Sequence, residues 1–212
     1  MEAVGSATEA AAMQAYMKHH FKFLGIKKPI RAELEKDWII EHKKLEYTKL
    51  EQLILELWSQ PEREFHYTAL ELAIKAKAFQ NQNSIELFRR LIQEKSWWDS
   101  VDTIASKLVG GYFRRFPENQ KSIITKWNAS TDMWLIRSSI IFQLAYGNAA
   151  NFDFLCAMIL PHTESKEFFI QKAIGWSLRQ YAKKDPLAVL QFTNAVPLKP
   201  LSRREALKHL SS

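Results

Sequence analysis

Ser96-Trp-Trp-Asp-Ser-Val-Asp-Thr-Ile-Ala-Ser-Lys-Leu108 sets Trp97, Val101, Ile104 and Leu108 at spacings of four, three and four residues, the apolar stripe of an amphipathic α-helix. Trp98 and Asp102 stand one turn apart on an adjoining face, rotated about 100° from that stripe. The buried seam is complete without them. A large aromatic beside a carboxylate, off the packing face, is what a cleft needs to hold an electron-poor sugar or base.

Outward from this helix the same periodicity recurs almost everywhere after Glu9, while alternating β-branched runs are scarce and the chain has only 6 Gly. The expected fold class is all-α. Pro29, Pro61, Pro117, Pro161, Pro186, Pro197 and Pro200 cut the chain into segments of helical-pair size. Ser96 with Asp99, and Ser202 with Glu205, have the Ser-x-x-acid spacing of a helix start. Comparable helices begin near Glu64, Trp98, Asp132 and Glu167, with separations of 34, 34 and 35 residues. That period fits a curved solenoid of HEAT-like antiparallel helix pairs with a concave basic cleft; an irregular helical bundle is the alternative. Residues 1–8 read as a flexible N-terminal tail and 9–212 as a single domain.

Composition narrows the function. With 212 residues and 47% hydrophobic content, one substantial core is within reach. A formal charge of +7 suits a polyanionic partner, although surplus lysine also serves solubility. The single Cys156 excludes a disulfide framework and a thiolate cage, and fits a reducing cytosol. The six histidines show no His-Glu-x-x-His or Cys-His spacing, so no metal is expected. Met1 to Ala12 lacks a basic start followed by an apolar core, and no apolar run reaches about 18 residues, so neither secretion nor a membrane span is expected.

Three further groups of residues stand outside the expected core. A helix over 166–183 packs through Ile170, Ile174, Leu178 and Tyr181, which leaves a second stripe of Lys172, Trp176, Arg179 and Lys183. Cations interleaved with an indole suit a nucleic-acid groove, and equally a cation–π decoration or a contact with the next repeat. Arg137 lies in Met133-Trp-Leu-Ile-Arg-Ser-Ser-Ile-Ile-Phe-Gln-Leu-Ala-Tyr146, apolar on nearly every side, so it needs an anion: a carboxylate of a neighbouring helix, or a phosphate for which its planar fork is shaped. Tyr16, Lys27 and Lys28 near the start, and Arg203 and Arg204 near the end, are basic or aromatic positions suited to a phosphate backbone, or else solvated helix faces. Phe21, Phe23, Trp38, Trp58, Phe88 and Trp134 read as core.

The stretches 96–105, 133–144, 165–183 and 200–209 together resemble the AlkD-type DNA alkylation repair glycosylases, a bacterial family of HEAT-like repeats, and the resemblance runs over nearly the whole chain after about residue 10. It implies that the family's catalytic aspartate falls on Asp102, its two cleft tryptophans on Trp98 and Trp176, its cleft arginine on Arg137, and its N-terminal DNA-contacting tyrosine on Tyr16. The implied activity is hydrolysis of the N-glycosidic bond of N3- or N7-alkylated purines in duplex DNA. A cytoplasmic location is expected from the cysteine usage, a monomer because one concave wall can embrace one duplex, and no cofactor. A helical-repeat scaffold that binds DNA or protein without catalysis is the rival reading. The four residues Trp98, Asp102, Arg137 and Trp176 separate the two, because a pure scaffold has no use for that chemistry.

Overall fold

A computed structural model describes residues 4–210 of the chain. Among these the secondary structure is helical, with one isolated bridge between Lys22 and Glu62 and no strand, so the chain is all-α. The helices are α1 (Ala7–Tyr16), α2 (Lys28–His42), α3 (Tyr47–Ser59), α4 (Arg63–Lys75), α5 (Ser84–Gln93), α6 (Trp98–Thr103), α7 (Gly110–Arg115), α8 (Gln120–Asn128), α9 (Met133–Ile141), α10 (Phe152–Ile159), α11 (Phe168–Tyr181), α12 (Pro186–Ala195) and α13 (Pro200–Leu207). No described helix is long and apolar enough to cross a membrane. Contacts divide the chain into two compact units, Met1–Leu87 and Phe88–Ser212.

The repeat is more regular than its sequence suggests. Helices α2, α4, α6, α9 and α11 begin at residues 28, 63, 98, 133 and 168, each start 35 residues after the one before. The period therefore reaches one repeat further towards the N-terminus than the apolar pattern showed. Its consequence is a register rule: residues 35 apart hold the same place on successive repeat helices.

In the first unit, α3 and α2 both pack on α4, around Leu50, Ile54, Trp58, Leu70 and Leu72. Ser6 caps α1 by accepting the amide of Glu9, so helix begins at Ala7, inside the stretch expected to be a tail; residues 1–3 of that tail lie outside the described residues. The fully buried carboxylate of Glu64 accepts the amides of Leu24, Gly25 and Ile26 at 3.0, 2.9 and 3.1 Å, which ties down the loop between α1 and α2. Glycine is required at Gly25, where φ is +83° and a Cβ would lie 2.1 Å from the carbonyl oxygen of Ser6.

In the second unit, α6 runs on through a π-helical stretch, Ile104–Val109, into α7. Val101, Ile104 and Leu108 are buried as expected, and Trp97 is half-buried at the N-cap position. The two Ser-x-x-acid signals mark real helix starts but not capping boxes. Ser96 donates its hydroxyl back to the carbonyl of Ile92 at 2.6 Å, and the start of α13 lies upstream at Pro200, after Lys199. A hydroxyl at the end of a preceding helix has a closer acceptor behind it than the donors ahead, and Ser202 already sits inside α13.

Helix α13 packs closely on α11, and Gly175 makes that approach possible: a Cβ there would lie 2.4 Å from the Cβ of Glu205 and 2.8 Å from the carbonyl oxygen of Ser202. Alanine normally stabilises a helix interior over glycine by about 1 kcal/mol. Here overpacking, at about 1–3 kcal/mol, outweighs that gain. Gly175→Ala should lower the urea midpoint with an unchanged slope; an equal or higher midpoint would show that α13 gives way without cost.

Candidate functional site

The register rule brings three of the singled-out residues together. Asp102, Arg137 and Lys172 are each 35 apart, hence the fifth residues of α6, α9 and α11, and all three line one cavity of about 380 Å³ in the second unit. Trp98, one turn before Asp102, and Trp176, one turn after Lys172, line the same cavity. Helix α13 closes it with Glu205.

At its centre is a two-pronged ion pair. Arg137 donates from Nε to Oδ1 of Asp102 at 2.7 Å and from Nη2 to Oδ2 at 2.8 Å. Its remaining terminal nitrogen, Nη1, donates to the carbonyl of Phe169. The Arg137 side chain is 5% exposed and that of Asp102 16%, so both are largely buried and the acid is the more accessible of the two. Burial raises the Asp102 carboxyl above its ordinary value, Arg137 pulls it back through hydrogen bonds and charge, and Asp99 adds a smaller upward push. A buried guanidinium requires partners within reach. Of the two anions expected for Arg137, the structure supplies the carboxylate of a neighbouring helix, on the Nε–Nη2 edge.

A second charged cluster lies beside the first. Glu205 bridges Lys172, 3.1 Å from Oε1, and Arg179, 2.7 Å from Oε2; Arg179 and then Lys172 hold this carboxyl below its ordinary value. Aromatic side chains complete the walls. Phe168 is 56% exposed at the mouth, while Phe169 packs against Trp97 and Trp134 at centroid distances of 5.2 and 5.0 Å and supports the site from below. Neither phenylalanine is given a site role by the sequence, and Glu205 stands there only as the acid of a helix-start spacing. The Ser202–Glu205 spacing suggested a cap, when the glutamate in fact faces another helix.

The other basic positions are placed apart from this cluster. Lys183 and Arg204 are exposed and outside the cavity lining. Arg203 donates to the carbonyl of Thr193 and, at 2.9 Å, to Asn194 Oδ1, so it ties off the end of α12. Tyr16, Lys27 and Lys28 belong to the first unit, where they line a separate cavity of about 320 Å³; Tyr16 is 71% exposed and Lys27 pairs with Glu9 at 2.7 Å. Of the side chains expected as core, Phe23, Trp58 and Phe88 are buried, while Phe21, Trp38 and Trp134 are half-buried. Burial pushes the Cys156 thiol up to about 11, so it is protonated at neutral pH and poorly suited to act as a nucleophile. Among the described residues no three His, Cys, Asp or Glu side chains gather as a metal ion would need.

The cavity thus offers a fixed carboxylate, two indoles and two further cations along one lining, a set of groups suited to stabilising positive charge next to an anionic backbone. Comparison with known proteins gives the chain's relatives. A structure described as a predicted DNA alkylation repair enzyme from Enterococcus faecalis is 35% identical, with a TM-score of 0.91 over 98% of this chain and 97% of that one. The Streptococcus mutans protein smu.31 shares the fold at 16% identity, with a TM-score of 0.65 over 84% of this chain and 96% of its own. No curated protein compared with the chain matches it. The sequence profile of a family described as DNA alkylation repair enzyme matches residues 1–210. The chain belongs to the DNA alkylation repair enzyme family.

Proposed function

We propose that this protein is a DNA glycosylase that hydrolyses the N-glycosidic bond of cationic N3- or N7-alkylated purines in duplex DNA, the first step of base excision repair. The observation that carries this reading is the Asp102 carboxylate, both oxygens of which are held by the Nε–Nη2 edge of Arg137, in a cavity that Trp98 and Trp176 also line.

Alkylation at N3 or N7 makes the purine a cation, so the base leaves without protonation by a general acid. The bond breaks as the purine takes the glycosidic electron pair and becomes neutral, and positive charge builds on the deoxyribose. Asp102 faces that charge. Because Arg137 fixes both carboxylate oxygens, little reorganisation is needed as the charge develops. Water then forms the new bond to C1′, and its proton passes to Asp102 or to solvent. Trp98 and Trp176 flank the sugar, present their faces to its positive charge and exclude bulk water. Arg137 acts through Asp102 and is a positioning residue in this scheme. Lys172 and Arg179 supply the contact with the phosphate backbone, which confers affinity without sequence preference. A neutral adduct keeps a poor leaving group in this site, so selectivity follows from the charge of the lesion. One cavity of this kind needs no partner chain, and the protein works as a cytoplasmic monomer.

Asp102→Asn should slow release of N7-methylguanine from methylated DNA by roughly 100-fold or more, the size of effect seen when one preorganised charge-stabilising group is lost. Its affinity for a duplex with an abasic-site analogue should stay within a few-fold. Chromatography of the released base tests this directly, and release at the parental rate would remove Asp102 from the mechanism.

The pH profile gives a second check. Activity requires ionised Asp102, whose carboxyl is raised above its ordinary value, so activity should fall on acidification at a higher pH than for an ordinary aspartate. Arg137→Met removes the two influences that lower this carboxyl and should move the acid limb further upward. An acid limb that stays in place in Arg137→Met would mean that another group controls the rate.

A further inference from the structure

On α11, Lys172 and Arg179 lie seven residues apart, about two turns along one face, and both engage a single carboxylate. Oε1 of Glu205 meets Lys172 Nζ at 3.1 Å and Oε2 meets Arg179 Nη1 at 2.7 Å. One anion that spans two cations through two oxygens is also how a phosphodiester sits between a pair of basic side chains, since it too carries one negative charge over two oxygens on one atom. We propose that Glu205 is a built-in competitor for DNA, its carboxylate holding the place between Lys172 and Arg179 that a backbone phosphate takes when a strand enters the site. The proposal rests on the glycosylase reading for the identity of the incoming anion.

Three features of the cluster fit an exchangeable contact. Lys172 and Arg179 are 38% and 22% exposed, in contrast to Arg137 at 5%, so the outer pair is open to an arriving strand and the inner one is not. Arg179 also donates to the main-chain carbonyl of Glu205 at 3.1 Å, which keeps the guanidinium in place when the carboxylate swings away. The close approach at Gly175 brings the Cβ of Glu205 against α11, so its carboxylate starts beside Trp176 and the two cations. A carboxylate left next to a phosphate repels it, so shallow engagement is opposed while a fully seated strand gains both cations. Glu205 in this role opposes engagement of any DNA backbone at the two cations, damaged or not.

The test is fluorescence anisotropy with an undamaged duplex and one bearing a tetrahydrofuran abasic analogue, using the full chain as wild type, Glu205→Gln, Lys172→Ala/Arg179→Ala and the triple variant. Glu205→Gln should bind both duplexes roughly tenfold more tightly, the effect of removing one competing charge-assisted contact. The gain should vanish in the Lys172→Ala/Arg179→Ala background. Glu205→Asp, with a shorter arm, should fall between wild type and Glu205→Gln, and it carries the comparison if Glu205→Gln does not unfold cooperatively. Equal or weaker binding by the folded variant overturns the proposal and makes Glu205 a fixed support for the two cations. A gain that persists without Lys172 and Arg179 overturns it as well, because general repulsion then suffices. Release of N7-methylguanine by the wild type is measured alongside. Release without tightening sinks this proposal alone, tightening without release sinks the glycosylase reading alone, and a wild type that binds neither duplex sinks both.

Discussion

A guanidinium 5% exposed in an apolar helix must find its hydrogen-bond partners inside the protein, and Arg137 finds them in Asp102 and the carbonyl of Phe169. Much of the geometry of the second unit follows from meeting that need. Removing one partner of such a pair leaves an uncompensated charge, at a cost of about 3–5 kcal/mol, so α6, α9 and the start of α11 are held in one relation to each other. In the same pair Arg137 offsets part of the upward push that burial gives the Asp102 carboxyl. Structural necessity and chemical readiness are therefore two aspects of one contact.

The 35-residue period is what allows such a contact to form between distant segments. Within the second unit the fifth positions of α6, α9 and α11 come to one cavity, and they carry aspartate, arginine and lysine in turn. A negative group thus meets a buried cation on one side, while a more exposed cation lines the same cavity. Helix α13 departs from the period, starting at residue 200 where the rule gives 203, and it is this element that brings Glu205 to the cavity. Gly175 permits that departure, since any larger residue on α11 meets the backbone of α13.

Polar groups are buried in the first unit too, with a different result. Glu64 spends its carboxylate on three loop amides, and Arg63 stacks on Phe21 with its guanidinium 3.8 Å from the ring centroid. These groups organise backbone, and their charges are consumed by doing so. Burial of a charged residue is therefore not by itself a sign of a reactive site; the distinction lies in whether the partnered charge opens onto a cavity, as Asp102 does.

Periodicity alone was enough to read an all-α chain, the approximate repeat and the seam of α6, because the spacing of apolar residues is a local property of a helix. That Trp98 and Asp102 lie off that seam was legible for the same reason, since their place on the helix follows from the same periodicity. The partner of Arg137 was not legible, since a sequence shows that a buried cation needs an anion but not which one lies 35 residues away. Glu205 was hidden more deeply. Its spacing from Ser202 mimics a helix cap, and only the packing of α13 on α11 turns it towards Lys172 and Arg179. Local pattern determines which face of a helix is wet; which charges meet across that face depends on the approach of helices distant in sequence, and that is decided by tertiary packing.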